Sequence, residues 1–168
     1  YLGITQQSLS RIRAEKKYNA MVHVDDSHAT GFVGPNGKGS SEFHNVLDSI
    51  DIITSTFGKA LGGAAGGFTT GGQEIIDILR QRSRPYLFSN TLAPSVVCAS
   101  IKAIDMLESS LDLINTLNEN TKYFRKEIQT LGFTIKEGIH PIIPIMFGDA
   151  KLAQNISQDM LDLGVYVI

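Results

Sequence analysis

Two short stretches of this sequence hold residues whose types and spacing could do chemistry. In the first, Asp25 and His28 stand three residues apart, directly behind the apolar run Ala20-Met21-Val22-His23-Val24. In the second, Ser55-Thr56-Phe57-Gly58-Lys59-Ala60-Leu61-Gly62-Gly63 follows another strand-like run, Ile50-Asp51-Ile52-Ile53-Thr54. Ends of strands are favoured places for ligand-binding groups in α/β sheets. Lys59 is enclosed in sequence by small and apolar residues, surroundings that disfavour the charged ammonium by desolvation and leave a free amine as a nucleophile toward a carbonyl. Such a lysine can form a Schiff base. Each motif taken singly has a plainer reading: Asp-x-x-His describes a solvated loop carboxylate and a surface imidazole, and Gly-Lys a side chain that reaches from a loop into water. Taken together, a carboxylate to pair with a pyridine nitrogen and a lysine to hold an aldehyde are the two groups that pyridoxal phosphate asks of a protein. In an extended chain Asp26 faces away from Asp25, so one of the two adjacent carboxylates points into such a site.

Phosphate-loop chemistry fits poorly. The pattern G-x-x-x-x-G-K-[ST] around Gly37-Lys38 would need glycine where Phe32 stands and a hydroxyl where Gly39 stands; around Gly58-Lys59 it meets Ile53 and Ala60. No G-x-G-x-x-G follows a strand candidate, which disfavours a nucleotide triphosphatase.

The segments Val24-Asp25-Asp26-Ser27-His28-Ala29-Thr30-Gly31-Phe32-Val33-Gly34, Thr56-Phe57-Gly58-Lys59-Ala60-Leu61-Gly62-Gly63 and Arg82-Ser83-Arg84-Pro85-Tyr86-Leu87-Phe88-Ser89-Asn90-Thr91-Leu92-Ala93-Pro94 resemble the α-oxoamine synthase family. Within it they most resemble the branch that condenses glycine with acetyl-CoA. Sibling branches that make aminolevulinate, 8-amino-7-oxononanoate and sphingoid bases share the first two motifs, and the Arg-Ser-Arg-Pro-Tyr-Leu-Phe-Ser-Asn run favours the acetyl-CoA branch. The likeness covers essentially the whole chain, as a central-to-C-terminal stretch of a longer enzyme.

The resemblance implies an aspartate aminotransferase-like fold (fold type I), pyridoxal phosphate as cofactor, and formation of 2-amino-3-oxobutyrate and coenzyme A, with the reverse direction serving threonine breakdown. It implies catalytic roles for Asp25, which keeps the pyridine nitrogen protonated, for His28 on the ring-hydroxyl side, and for Lys59, which carries the aldehyde and then serves as general base and acid. Asp26 and Ser27 fall in the cofactor-contacting loop, and Thr56 reaches the phosphate. Ser89 and Asn90 correspond to residues that bind the same phosphate from the neighbouring subunit, so the implied state is a homodimer with shared active sites. The family's upstream phosphate loop, ring-stacking residue and downstream carboxylate-binding arginine have no counterparts here, so the 168 residues alone are expected to turn over little or nothing. Two other readings stand beside this one: another fold-type-I enzyme or sibling synthase, and a non-catalytic interaction module in which Asp25 and Lys59 are loop residues.

The elements that must position these groups can be read from periodicity. Leu9, Ile12 and Ala14 among charged neighbours predict a helix up to Lys17, followed by a strand over 20–24, a long irregular connection through Gly34 to Gly39, and a strand over 50–54. The glycine-rich 62–67 stretch leads into a strand at Phe68-Thr69-Thr70; Gln73 to Arg82 is helical, and Tyr86-Leu87-Phe88 is a strand candidate. A helix from Pro94 to about Leu107 is apolar on most faces and should be well buried, and a second runs from about Leu111 to Leu131 with Gly132 as its stop. Strands over 133–136 and 141–147, a helix from Ala150 to Leu163 closed by Gly164, and a strand over 165–168 complete an α/β pattern. A break near 108–112 divides residues 1–110, a portion of a large cofactor-binding α/β domain, from 111–168, a linking helix and a portion of a smaller α+β domain.

Composition sets the outer limits. Lys and Arg number 15 against 17 Asp and Glu, a net charge of −2, which leaves no footprint for nucleic acid. The chain is 42% hydrophobic and 19% charged, a globular balance, and its apolar runs fall short of the ~18 residues of a membrane span. One cysteine, Cys98, permits neither an intrachain disulfide nor a cysteine-rich zinc site, so no metal is expected and a reducing cytoplasm is the expected compartment. The chain opens on Tyr1 and closes on Val165-Tyr166-Val167-Ile168, which reads as an internal fragment.

Overall fold

A computed structural model describes residues 17–62 and 65–168, so the helix expected before Lys17, and Gly63 of the glycine-rich motif, lie outside the described residues. The chain divides into two compact units, residues 1–117 and 118–168, at a point inside a long helix.

The first unit is built on a three-stranded sheet of β1 (His23–Asp25), β2 (Ile52–Thr56) and β3 (Gly67–Gly71) in that order. β1 runs parallel to β2, with Asp25 beside Thr54, and β3 returns antiparallel, with Thr69 beside Thr54 and Gly67 beside Thr56. A parallel pair needs a crossover. Here it is the irregular connection expected through Gly39, followed by a one-turn helix α1 (Ser40–Phe43) and a 3-10 turn (Leu47–Ser49) in a stretch to which the sequence reading assigns no element. α2 (Gln73–Arg82) forms as its spacing predicts and packs on β3.

The next element differs from expectation. Tyr86-Leu87-Phe88 belongs to a short helix, α3 (Arg84–Phe88), rather than a strand. Ser83 stands at its N-cap position and Pro85 in the first turn, where a fixed φ and a missing N–H favour helix entry; Leu87 N–H then donates to the Ser83 carbonyl at 3.0 Å. α4 (Pro94–Ser109) forms, but it is not buried as expected: Ser100 alone of its residues is buried, and Val97, Ile101 and Met106 are exposed. The described residues provide no layer to cover that apolar face. Core positions of this unit are Val22, Ala29, Val33 and, from the first turns of α5 (Asp112–Thr130), Ile114.

In the second unit α5 ends where Gly132, at φ 88°, takes the left-handed turn that a side chain would resist; the Phe133 N–H then closes back on the Ile128 carbonyl at 3.2 Å. The two strands expected beyond it reduce to one antiparallel bridge, Ile135 to Ile145. Pro141 and Pro144 supply no N–H, so a longer ladder cannot form, and only the bonds from Lys136 to Pro144 and from Met146 to Thr134 flank the bridge. The Arg125 guanidinium staples this loop by donating to the carbonyls of Lys136 and His140. α6 (Ala150–Asp162) starts on Asp149, whose carboxylate accepts the Leu152 N–H at 2.6 Å. Residues 165–168 are not a strand; the Ser157 hydroxyl donates to the Val167 carbonyl instead. No helix among the described residues is long and apolar enough to cross a membrane.

Candidate active site

The sequence-predicted groups gather at the carboxyl ends of β1 and β2. Alternation along a strand puts His23 and Asp25 on one face, and the register sets Thr54 and Thr56 of β2 on the same face. His23 Nε2 lies 3.0 Å from Thr54 Oγ1, which fixes that assignment. The result is a polar, largely uncovered sheet surface: His23 and Asp25 are exposed, and the two threonines half-buried.

Asp25 folds over its own turn, accepting the Ser27 N–H at 2.9 Å. Hydrogen bonds from the Ser27 hydroxyl and amide hold the Asp25 carboxyl below the ordinary carboxylate value, with the nearby charges of Lys59 and His23 acting in the same direction. Lys59 lies 34 positions further along the chain, and the parallel register of β1 and β2 brings the two strand ends side by side. It sits in the turn after β2, where its carbonyl accepts from Gly62 N–H at 3.0 Å. One expectation about it fails. Its small and apolar neighbours do not cover it: Lys59 is exposed.

Asp26 behaves in the opposite way. It is fully buried, and its carboxylate accepts from both the hydroxyl and the amide of Ser40, the latter at 3.0 Å. Burial raises its pKa, against the lowering effect of the Ser40 bonds. The expectation that one of the two carboxylates turns away is met: the Asp26 side chain faces the interior of the loop. Gly39 permits this, since at φ 105° an added Cβ would collide with Asp26 Oδ2.

Ser27 is half-buried and His28 exposed, both in the turn after β1. The Thr56 hydroxyl donates to the Gly66 carbonyl at 3.0 Å and accepts from Gly58 N–H at 3.1 Å, so it shapes the loop that carries Lys59. Ser89 and Asn90 follow α3 and are exposed. Of the arginines near them, Arg84 lies over the Phe88 ring, 5.5 Å from its centroid. Farther along the first loop Glu42 takes the N–H groups of Asn36 and Lys38; burial pushes its carboxyl up, and these bonds outweigh it, leaving the pKa lowered.

Two neighbours of these groups were not singled out in the sequence. His23 lies in β1, as the strand expected over 20–24 implies, and its side chain is exposed on the same face as Asp25. Ser40 gave no signal, because its partner lies 14 residues away.

The chain is 52% identical over 151 residues to 2-amino-3-ketobutyrate coenzyme A ligase of Salmonella typhimurium, which covers 90% of the chain and 38% of that protein. It is 49% identical over 152 residues to the human mitochondrial 2-amino-3-ketobutyrate coenzyme A ligase, across 90% of the chain and 36% of that protein. A solved serine palmitoyltransferase from S. paucimobilis superposes with a TM-score of 0.87 at 31% identity, over 94% of the chain and 41% of its own. The chain thus spans about two fifths of the length of the proteins it resembles. The model of the family "Aminotransferase class I and II" matches residues 4–168, nearly the whole sequence, and the chain belongs to that family.

Proposed function

We propose that this chain is the cofactor-anchoring section of a pyridoxal-phosphate-dependent acyltransferase that joins glycine to acetyl-CoA, giving 2-amino-3-oxobutyrate and coenzyme A. The observation that carries the reading is the placement of Asp25 and Lys59: a carboxylate at the end of β1 and an exposed amine in the turn after the parallel neighbour β2, beside a largely uncovered sheet face. Those residues fit the cofactor's chemistry. Bound pyridoxal phosphate supplies a ring that accepts electron density from the substrate α-carbon.

The chain's own residues do the rest. Asp25 would keep a proton at the pyridine nitrogen, and its lowered pKa suits it to remain the anionic partner of a cation. Lys59 would hold the aldehyde end of the group, and its amine, when free, would take and return a proton at the substrate α-carbon. His28 and Ser27 border the ring side of the turn, and Thr56 sets the loop that aims Lys59. Ser89 and Asn90 serve the phosphate of a neighbouring subunit, so the working unit is a homodimer. The 2-amino-3-ketobutyrate coenzyme A ligases at 49–52% identity support glycine and acetyl-CoA as the substrate pair. The lone Cys98 thiol suits a reducing cytoplasm.

Borohydride reduction of the full-length protein loaded with pyridoxal phosphate, followed by peptide mapping, tests the reading. A pyridoxyl label on the Lys59 peptide is the expected result; label elsewhere, or none, overturns it. Coenzyme A release with glycine, compared between acetyl-CoA and longer acyl-CoA donors, then tests the acyl donor. Faster release from a long-chain donor would assign the protein to a sibling synthase, the class to which the superposed serine palmitoyltransferase belongs.

A further inference from the structure

The residue that the cofactor reading leaves unused is also the most completely bonded one near the site. Asp26 N–H donates to the Thr54 carbonyl at 2.8 Å, which ties it to β2. Its carbonyl accepts from Ala29 and Thr30 N–H, both at 2.9 Å, from the Thr30 hydroxyl at 3.1 Å and from the Ser55 hydroxyl at 3.3 Å. Its carboxylate takes the hydroxyl and amide of Ser40. One fully buried residue therefore joins the turn that carries Ser27 and His28, the strand that leads to Lys59, and the far end of the 27–39 loop.

A buried carboxylate is costly unless its partners are well placed, and among the described residues its hydrogen-bond donors are all neutral, the hydroxyl and amide of Ser40 and the Ser41 amide. An apolar side chain would fill such a spot at less cost. What the carboxylate adds is geometry. It fixes the backbone on both sides of itself, so Asp25 and Ser27 cannot shift without breaking the Ser40 bonds. Gly39 completes the device, since any side chain there would push into Oδ2.

We propose that Asp26 is a positioning residue, whose carboxylate latches Ser40 across the loop and so sets where Asp25, Ser27 and His28 stand toward the cofactor. This rests on the cofactor reading above. Two readouts on the full-length protein test it: the pyridoxal phosphate Kd, taken with the pH midpoint of the bound cofactor's visible absorbance, and amide hydrogen exchange of the cofactor-free protein. Asp26→Ala should weaken the Kd by ~10-fold, the loss of one or two bonds to a charged acceptor, and shift the absorbance midpoint. It should speed exchange in residues 27–33 while leaving α4 unchanged. Asp26→Asn, which can still accept the Ser40 amide and donate to its hydroxyl, should restore most of the affinity. Should the alanine variant not fold, Ser40→Ala removes the hydroxyl bond alone and should weaken the Kd by about 3-fold.

A folded variant with wild-type Kd and absorbance midpoint overturns the positioning role, as does faster exchange spread evenly over the whole first unit. A wild-type protein that takes no label at Lys59 overturns the cofactor reading itself, and the latch's role toward the cofactor with it. A labelled wild type with indifferent variants sinks the latch alone.

Discussion

Asp25 and Asp26 carry the same carboxyl group one peptide bond apart, and the strand's alternation sends them into water and into protein. The consequences for pH have opposite signs. Asp25, lowered in the folded state from 3.8, contributes stability that is present above that value and lost as pH falls through its folded pKa. Asp26, raised from 3.8, contributes stability that is complete below that value and lost as pH rises through its folded pKa. Urea midpoints measured from about pH 3 to about pH 7 should therefore separate the two variants. Asp25→Asn should flatten the acid side of the profile and Asp26→Asn the rise of instability above it; identical profiles would contradict the environments described here. For Lys59, a Lys59→Arg variant keeps the charge but cannot form the bond to an aldehyde. Coenzyme A release with glycine should fall by ~10²-fold or more, while the thermal midpoint stays near that of the wild type. At this scale the places of Asp25 and Lys59, at and just beyond strand ends, were legible, because strand ends and a glycine-rich turn announce themselves locally. The exposure of Lys59 was not, since burial depends on layers that neighbours in sequence do not report.

Elements with a strong period came through almost unchanged, and those that depended on a short run of residues did not. Gln73–Arg82 is amphipathic over nearly three turns, so its register leaves one solution. Tyr86-Leu87-Phe88 is a three-residue run whose aromatic and aliphatic side chains favour a strand, and Pro85 with the Ser83 N-cap position overrode that preference. Past α5 the alternation was real, but two prolines left a single bridge where two strands were expected. Helix ends, by contrast, can be argued from one residue. Asp149 satisfies the Leu152 N–H at the start of α6, and Asp149→Ala should cost about 1 kcal/mol of stability, read as a lower urea midpoint with an unchanged slope. Gly132→Ala meets no neighbour within 4 Å, so any loss there reports its φ of 88° alone. A fall of about 1 kcal/mol is expected, and no change would mean the helix end relaxes without cost.

For the whole molecule the telling feature is how much apolar surface faces outward. α3 presents Tyr86 at 64% exposure and Phe88 at 77%, and α4 adds Ile101 and Met106. Exposed apolar side chains of that size are ordinarily interface or the bed for further layers, and the sequence could not say so, because amphipathic spacing reports that a face is apolar but not what covers it. α3 runs directly into Ser89 and Asn90, the residues proposed to serve a neighbouring subunit. An interface along α3 would thus bury the aromatic pair and deliver the two polar groups in one step. Phe88→Glu, placing a charge in the middle of that surface, should shift full-length protein from dimer to monomer in sedimentation and weaken pyridoxal phosphate retention together, because the phosphate contacts leave with the partner. A dimer that persists with unchanged cofactor affinity would place α3 under another part of the same polypeptide instead. A monomer that keeps its cofactor would separate association from the site and remove Ser89 and Asn90 from it.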